Sequence, residues 1–165
     1  MVENNYETPD SNLIIETEQE LQLASRGNRL VASIIDSIIM MLVIGPAMYA
    51  TGMYDKIFEG QEPSLDENFL IALAGIGVFL LVNYHYLKTN GQTVGKKLLG
   101  IRIVDLDGNP PSMTRHLLPR YAVYFGIGYV PFVGGIFSIV NILFIFRKDK
   151  RCLHDLAAKT MVVDN

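Results

Sequence analysis

Apolar residues in this chain gather in three long blocks separated by polar segments. Residues 30–50 contain one charged side chain, Asp36, and residues 69–87 and 121–146 contain no Asp, Glu, Lys or Arg. A helix needs about 20 consecutive apolar residues to cross the roughly 30 Å hydrocarbon core of a bilayer. The first two blocks therefore predict transmembrane helices. The third is interrupted by Gly126, Gly128, Pro131, Gly134 and Gly135, a dense set of helix breakers. It predicts two arms, about 113–130 and 132–146, folded back as a helical hairpin. Each arm is short for a full crossing, so a partly re-entrant hairpin is one form of this reading. A single long kinked helix ranks second.

Two short runs carry a different pattern. Ile101-Arg102-Ile103-Val104-Asp105 is rich in β-branched residues and leads to Asp107-Gly108-Asn109-Pro110-Pro111, a strong turn signal. Thr160-Met161-Val162-Val163 follows a helical stretch at 153–159. Paired, they predict a small β-ribbon beneath the membrane segments that brings Asp105 and Asp155 into one neighbourhood. The expected fold is an all-α integral membrane protein of about four membrane segments, with a cytoplasmic ribbon.

Composition agrees with this. Of 165 residues half are hydrophobic, and the mean hydropathy is +0.26 although the first 24 residues are acidic and polar. Those residues are expected to form a cytoplasmic tail, and 25–165 the membrane domain. The tail carries no basic region running into an apolar core, so the first helix is expected to be a retained anchor rather than a cleaved signal. A single cysteine, Cys152, excludes an intramolecular disulfide.

Charge distribution sets the expected topology. Residues 51–68 hold Asp55, Glu59, Glu62, Asp66 and Glu67 against Lys56, whereas 88–120 hold Lys88, Lys96, Lys97, Arg102, Arg115 and Arg120. Basic loops stay cytoplasmic, so the first loop is expected outside and both termini inside.

A carboxylate at mid-membrane depth costs about 2.5–3.5 kcal/mol on insertion scales and normally faces protein or a water-filled cavity. Arg29 lies on the same helix face as Asp36, about 10 Å away along the axis. That is too far for a direct pair, so Arg29 is expected to snorkel to the interface and Asp36 to find a donor on another segment. Asp36 as a structural acceptor and Asp36 as a transport site carry similar weight. Ser138 and Asn141 are the first candidates for its neighbours, and Asn83 and His85 are placed to meet Arg29. His154 beside Asp155 is a candidate proton relay, although an exposed polar histidine is the commoner outcome.

Other chemistry is poorly represented. Gly91-Gln92-Thr93-Val94-Gly95-Lys96 falls one residue short of a phosphate loop and lacks its Ser or Thr. His85, His116 and His154 have no metal-ligand spacing. No nucleophile stands beside a base, so no enzymatic activity, metal or cofactor is expected. The basic residues flank membrane segments, which suits lipid contact rather than nucleic acid.

Three segments resemble the RDD family of small membrane proteins, named for one arginine and two aspartates: Arg29-Leu30-Val31-Ala32-Ser33-Ile34-Ile35-Asp36, the stretch from Gly91-Gln92-Thr93-Val94-Gly95-Lys96 to Asp105, and Arg151-Cys152-Leu153-His154-Asp155-Leu156-Ala157-Ala158-Lys159-Thr160. The resemblance implies that Arg29 is the family arginine and Asp36 its first aspartate, and that the second falls at Asp105 or Asp155. It also implies a transporter-like protein, with cation/proton antiport proposed for some members. The function expected is a small transporter-like homo-oligomer of a bacterial inner or plasma membrane, exchanging protons for a monovalent cation such as Na⁺. Arg29, Asp36, Asp105, Asp155, Asn83, Ser138 and Asn141 are its candidate site residues, His154 its relay, and membrane lipids its surroundings. The alternative is a non-transporting membrane assembly module whose arginine and aspartates are structural.

Overall fold

A computed structural model describes residues 21–128 and 134–165. Most of the expected acidic tail, at 1–20, and Pro131 in the expected hairpin turn lie outside the described residues.

Helix α1, Arg26–Ala50, starts where the Ser25 hydroxyl accepts from the Asn28 amide at 3.0 Å, satisfying one of the free amides of a first turn. Helix α3, Leu65–Asn90, opens with a capping box in which Ser64 and Glu67 serve each other's amides, and ends at Gly91 with φ +66°. That left-handed backbone favours glycine at a helix terminus. At 25 and 26 residues each helix is about 38 Å long. Only 6 % of each apolar window is buried inside the chain. The two are thus long and apolar enough to cross a bilayer, and their apolar faces are presented outward. A short helix the sequence pattern did not reveal, α2 at Met53–Phe58, lies between them.

The third apolar block forms α5, Leu118–Gly128, and α6, Gly134–Leu143, which pack on each other. At about 16 Å each they reach half the thickness of a hydrocarbon core. A π-helical turn at Met113–Leu117 leads into α5, and a 3-10 turn at Phe144–Phe146 follows α6.

Between α3 and α5 come α4, Val94–Leu98, and strand β1, Ile101–Asp105. After α6 come α7, Leu153–Ala157, and strand β2, Thr160–Asp164. The two strands pair antiparallel, with Ile103 opposite Val162 and Asp105 opposite Thr160. Leu23 bridges Val163 on the other edge of β2, flanked by the Ala24 amide on the Val162 carbonyl and the Asp164 amide on the Gln22 carbonyl, both 3.0 Å. The segment entering α1 and the C-terminal strand therefore lie on one side of the molecule. Ala24, Ile101, Ile103 and Val162 join Ala32, Phe79, Leu87 and Leu117 in one core.

The ribbon does not put Asp105 against Asp155. The Asp105 carboxylate accepts from the amides of Asp107 and Asn109, at 3.0 and 2.8 Å, and fixes its own exposed turn.

Candidate functional site

Close approach of two backbones builds the first half of the site. A Cβ on Gly95 would overlap the Ala32 carbonyl and stand 3.0 Å from the Asp36 carboxyl carbon, so only glycine lets α4 sit this tightly on α1. The contact brings the Gly95 amide to one Asp36 oxygen at 2.8 Å and the Thr93 hydroxyl to the other at 2.6 Å. Asn83 holds α4 to α3, accepting from the Val94 amide at 2.9 Å and donating to the Phe79 carbonyl at 3.1 Å.

Asp155 organises the second half. It has no exposed surface, and its carboxylate is paired with Arg29, 6 % exposed, and Arg120, 2 % exposed. The Cys152 amide adds a bond of 2.9 Å, and Arg120 also donates to the Thr160 hydroxyl at 2.7 Å. Arg29 reaches the Lys150 carbonyl and the Cys152 sulfur as well. One carboxylate thus clasps α1, α5 and α7 together. Burial alone would raise the Asp155 pKa, but the Arg120 guanidinium above all, with Arg29 and the Cys152 amide, holds it well below the usual carboxylate range.

Above the clasp lies a cavity of about 660 Å³ between α1, α3, α5 and α6. Its polar end carries Arg29, Asp36, Thr93, Lys96, Arg120 and Asn141, and its far end is apolar. Lys96 is 9 % exposed, and its ammonium meets the Thr93 hydroxyl at 3.4 Å. Burial first, then the Arg120 charge, pulls its pKa down to about 8. The Asn141 side-chain oxygen accepts from both the backbone amide and Nδ1 of His154, at 3.3 and 3.0 Å. Burial and then the charge on Arg120 push His154 to about 3, so the ring is neutral through the physiological range.

An arginine on the first helix is thus paired with an aspartate near the C-terminus. The sequence profile of the RDD family matches residues 23–159. The chain belongs to the RDD family. An uncharacterized protein of Haemophilus influenzae is 26 % identical over 144 residues, 87 % of this chain and 80 % of the relative. The uncharacterized protein YckC of Bacillus subtilis is 37 % identical over 78 residues, 44 % of this chain and 46 % of the relative. No solved structure matches the chain. Family membership and two outward-facing apolar helices mark this RDD protein as a membrane protein.

Of the two positions considered for the second RDD aspartate, Asp155 joins Arg29 and Asp105 does not. Arg29 is buried on Asp155 instead of snorkelling, because α7 delivers a carboxylate to the start of α1. Asp36, Ser138 and Asn141 share the cavity, whereas Asn83 serves the backbone of α4 and His85 is exposed. His154, the candidate relay, is buried on Asn141 rather than exposed, and its ring is held neutral. Cys152, His154 and Asp155 bring ligand atoms within 4.8 Å of one another, but the carboxylate is already held by two guanidinium groups, which does not suit a metal cation. The sequence placed Gly95 and Lys96 in a close-packed turn near lipid headgroups, but did not connect Thr93, Gly95 or Lys96 with Asp36, or Arg120 with Asp155. One signal was available: Arg120 stands at the edge of an apolar block, as Arg29 does.

Proposed function

We propose that this RDD protein is a small transporter-like protein of a bacterial inner or plasma membrane, with a proton-linked site formed by Asp36 and Lys96. The observation that supports it is that an aspartate within an apolar helix and a buried ammonium line one cavity and share Thr93, whose hydroxyl bonds both. Lys96, with its pKa drawn to about 8, releases its proton at mildly alkaline pH. A monovalent cation such as Na⁺ entering beside Asp36 repels the Lys96 proton, and a returning proton expels the cation. One-for-one exchange then needs no further titrating group.

The basic loop at 88–120 supports an orientation with the ribbon side in the cytoplasm and the acidic loop outside. The hairpin of α5 and α6 enters and returns on the cytoplasmic side. So few helices enclose a pathway poorly, which favours a homo-oligomer whose protomers cover each other's exposed apolar faces. The test is proton flux in liposomes carrying a pH-sensitive dye, with Na⁺, K⁺ and Li⁺ supplied in turn. Cation-dependent flux is expected for the wild type and absent in Asp36→Asn and Lys96→Gln. Full flux in both variants would sink the assignment.

The saturated bonding of Asp155 favours a second reading, an assembly module in which the charged residues are structural. It predicts no flux from folded protein and loss of assembly in Asp36→Asn.

A further inference from the structure

Hydrogen-bond donors facing the cavity are in excess. Among the described residues the Lys96 ammonium has one long contact, to Thr93. Among the described residues the hydrogen bonds of Arg120 to Asp155 and Thr160 leave from the same terminal nitrogen, so the other edge of its guanidinium is left toward the cavity. Charge is in excess too: Arg29, Lys96 and Arg120 stand against Asp36 and Asp155, three positive groups to two negative. Exchanging the Lys96 proton for a cation leaves that surplus unchanged. Unpaired donors around a surplus positive charge call for an anion.

The remainder of the cavity asks for a hydrocarbon chain. Beyond Asp36 its walls are Met40, Ile44, Phe79 and Phe125, and Arg29 and Ile44 are about 22 Å apart along α1. Leu30, Ile34 and Ile142 line it while staying about half exposed, at 50, 49 and 52 %. The cavity therefore opens sideways between α1 and α6, on a face where α1 presents apolar surface outward. Its volume of about 660 Å³ falls within the range of about 300–1,000 Å³ of small-molecule sites.

We propose that an anionic membrane lipid occupies this cavity, with its phosphate on Lys96 and the free edge of Arg120 and one acyl chain running along α1 toward Ile44. A lipid, rather than a free anion, fits because the lateral opening faces acyl chains if α1 crosses the bilayer. The proposal rests on the cavity used in the transport reading, but it is read by binding at constant pH without flux, so failure of either is seen separately.

The experiment is thermal unfolding of the purified full chain in a neutral detergent, followed by circular dichroism, with phosphatidylglycerol, phosphatidylcholine or inorganic phosphate added. Ligand that binds the folded state raises Tm in a saturable way. Phosphatidylglycerol is expected to do so with an apparent affinity about tenfold or more above phosphatidylcholine, and inorganic phosphate to have no effect. Lys96→Gln abolishes the preference and Lys96→Arg keeps it. Lys97→Gln, whose ammonium sits 4.0 Å over the Tyr86 ring instead, also keeps it. Met40→Trp, which fills the apolar end, weakens phosphatidylglycerol binding with all the donors in place. Equal response to phosphatidylcholine or to inorganic phosphate overturns the proposal. So does a wild-type response from Lys96→Gln, or from Met40→Trp should the lysine variant fail to fold.

Discussion

Asp155 carries two guanidinium groups and is wholly removed from solvent. Breaking a buried ion pair by removing one partner leaves the other charge uncompensated and costs about 3–5 kcal/mol. Asp155→Asn strands two arginines, so a loss of at least that order is expected, measured as a lowered Tm and loss of monodisperse protein in detergent. Asp36→Asn is expected to cost less, because its donors are one hydroxyl and one amide rather than two buried cations. Lys96 adds a pH dependence of opposite sense to a stabilising pair. Its pKa falls from 10.5 to about 8 on folding, so below about pH 8 both states are protonated and the folded state bears the full cost of a buried charge. Between about 8 and 10.5 the unfolded chain binds the proton and the folded one does not, so stability rises with pH. Denaturation across this window should show that rise in the wild type and lose it in Lys96→Met.

At the level of elements, the contact of α4 with α1 depends on Gly95. In Gly95→Ala the added methyl meets the Ala32 carbonyl, and overpacking of this kind costs about 1–3 kcal/mol. As α4 lifts, the Thr93 and Gly95 bonds to Asp36 are lost together. A double-mutant cycle with Asp36→Asn should therefore be non-additive, and additive costs would disconnect the two sites. The elements themselves were largely readable in the sequence. Apolar runs of membrane length announced α1 and α3, and β-branched residues before a turn announced β1. Asp36 stood out as a lone charge in an apolar block, and its need for a donor from elsewhere followed from cost alone. The identity of that donor did not, since Thr93 and Gly95 reach it only through backbone packing between segments nearly sixty residues apart, which leaves no local pattern. Arg120 was hidden for a related reason: as a basic residue flanking a membrane segment it served the topology argument equally well whether exposed or buried. Asp105 attracted attention through its strand, but a carboxylate preceding Asp107-Gly108 has its own turn to hold.

For the whole molecule, the segment before α1 and strand β2 share one small sheet. Orientation then becomes a single choice. In a Cys152→Ser background, a cysteine introduced as Glu59→Cys is expected to react with a membrane-impermeant maleimide from outside intact cells, and one introduced as Lys148→Cys only after permeabilisation. The reverse pattern would invert the topology, and labelling of both from one side would remove the pair of crossings. The clasp also sets an order of events. Arg29 and Asp155 are separated by 126 positions, so during synthesis the first helix is made long before its arginine has a partner. A chain arrested short of residue 155 keeps that guanidinium exposed at the edge of its first helix. A finished copy therefore differs from an aborted one in whether that charge is buried.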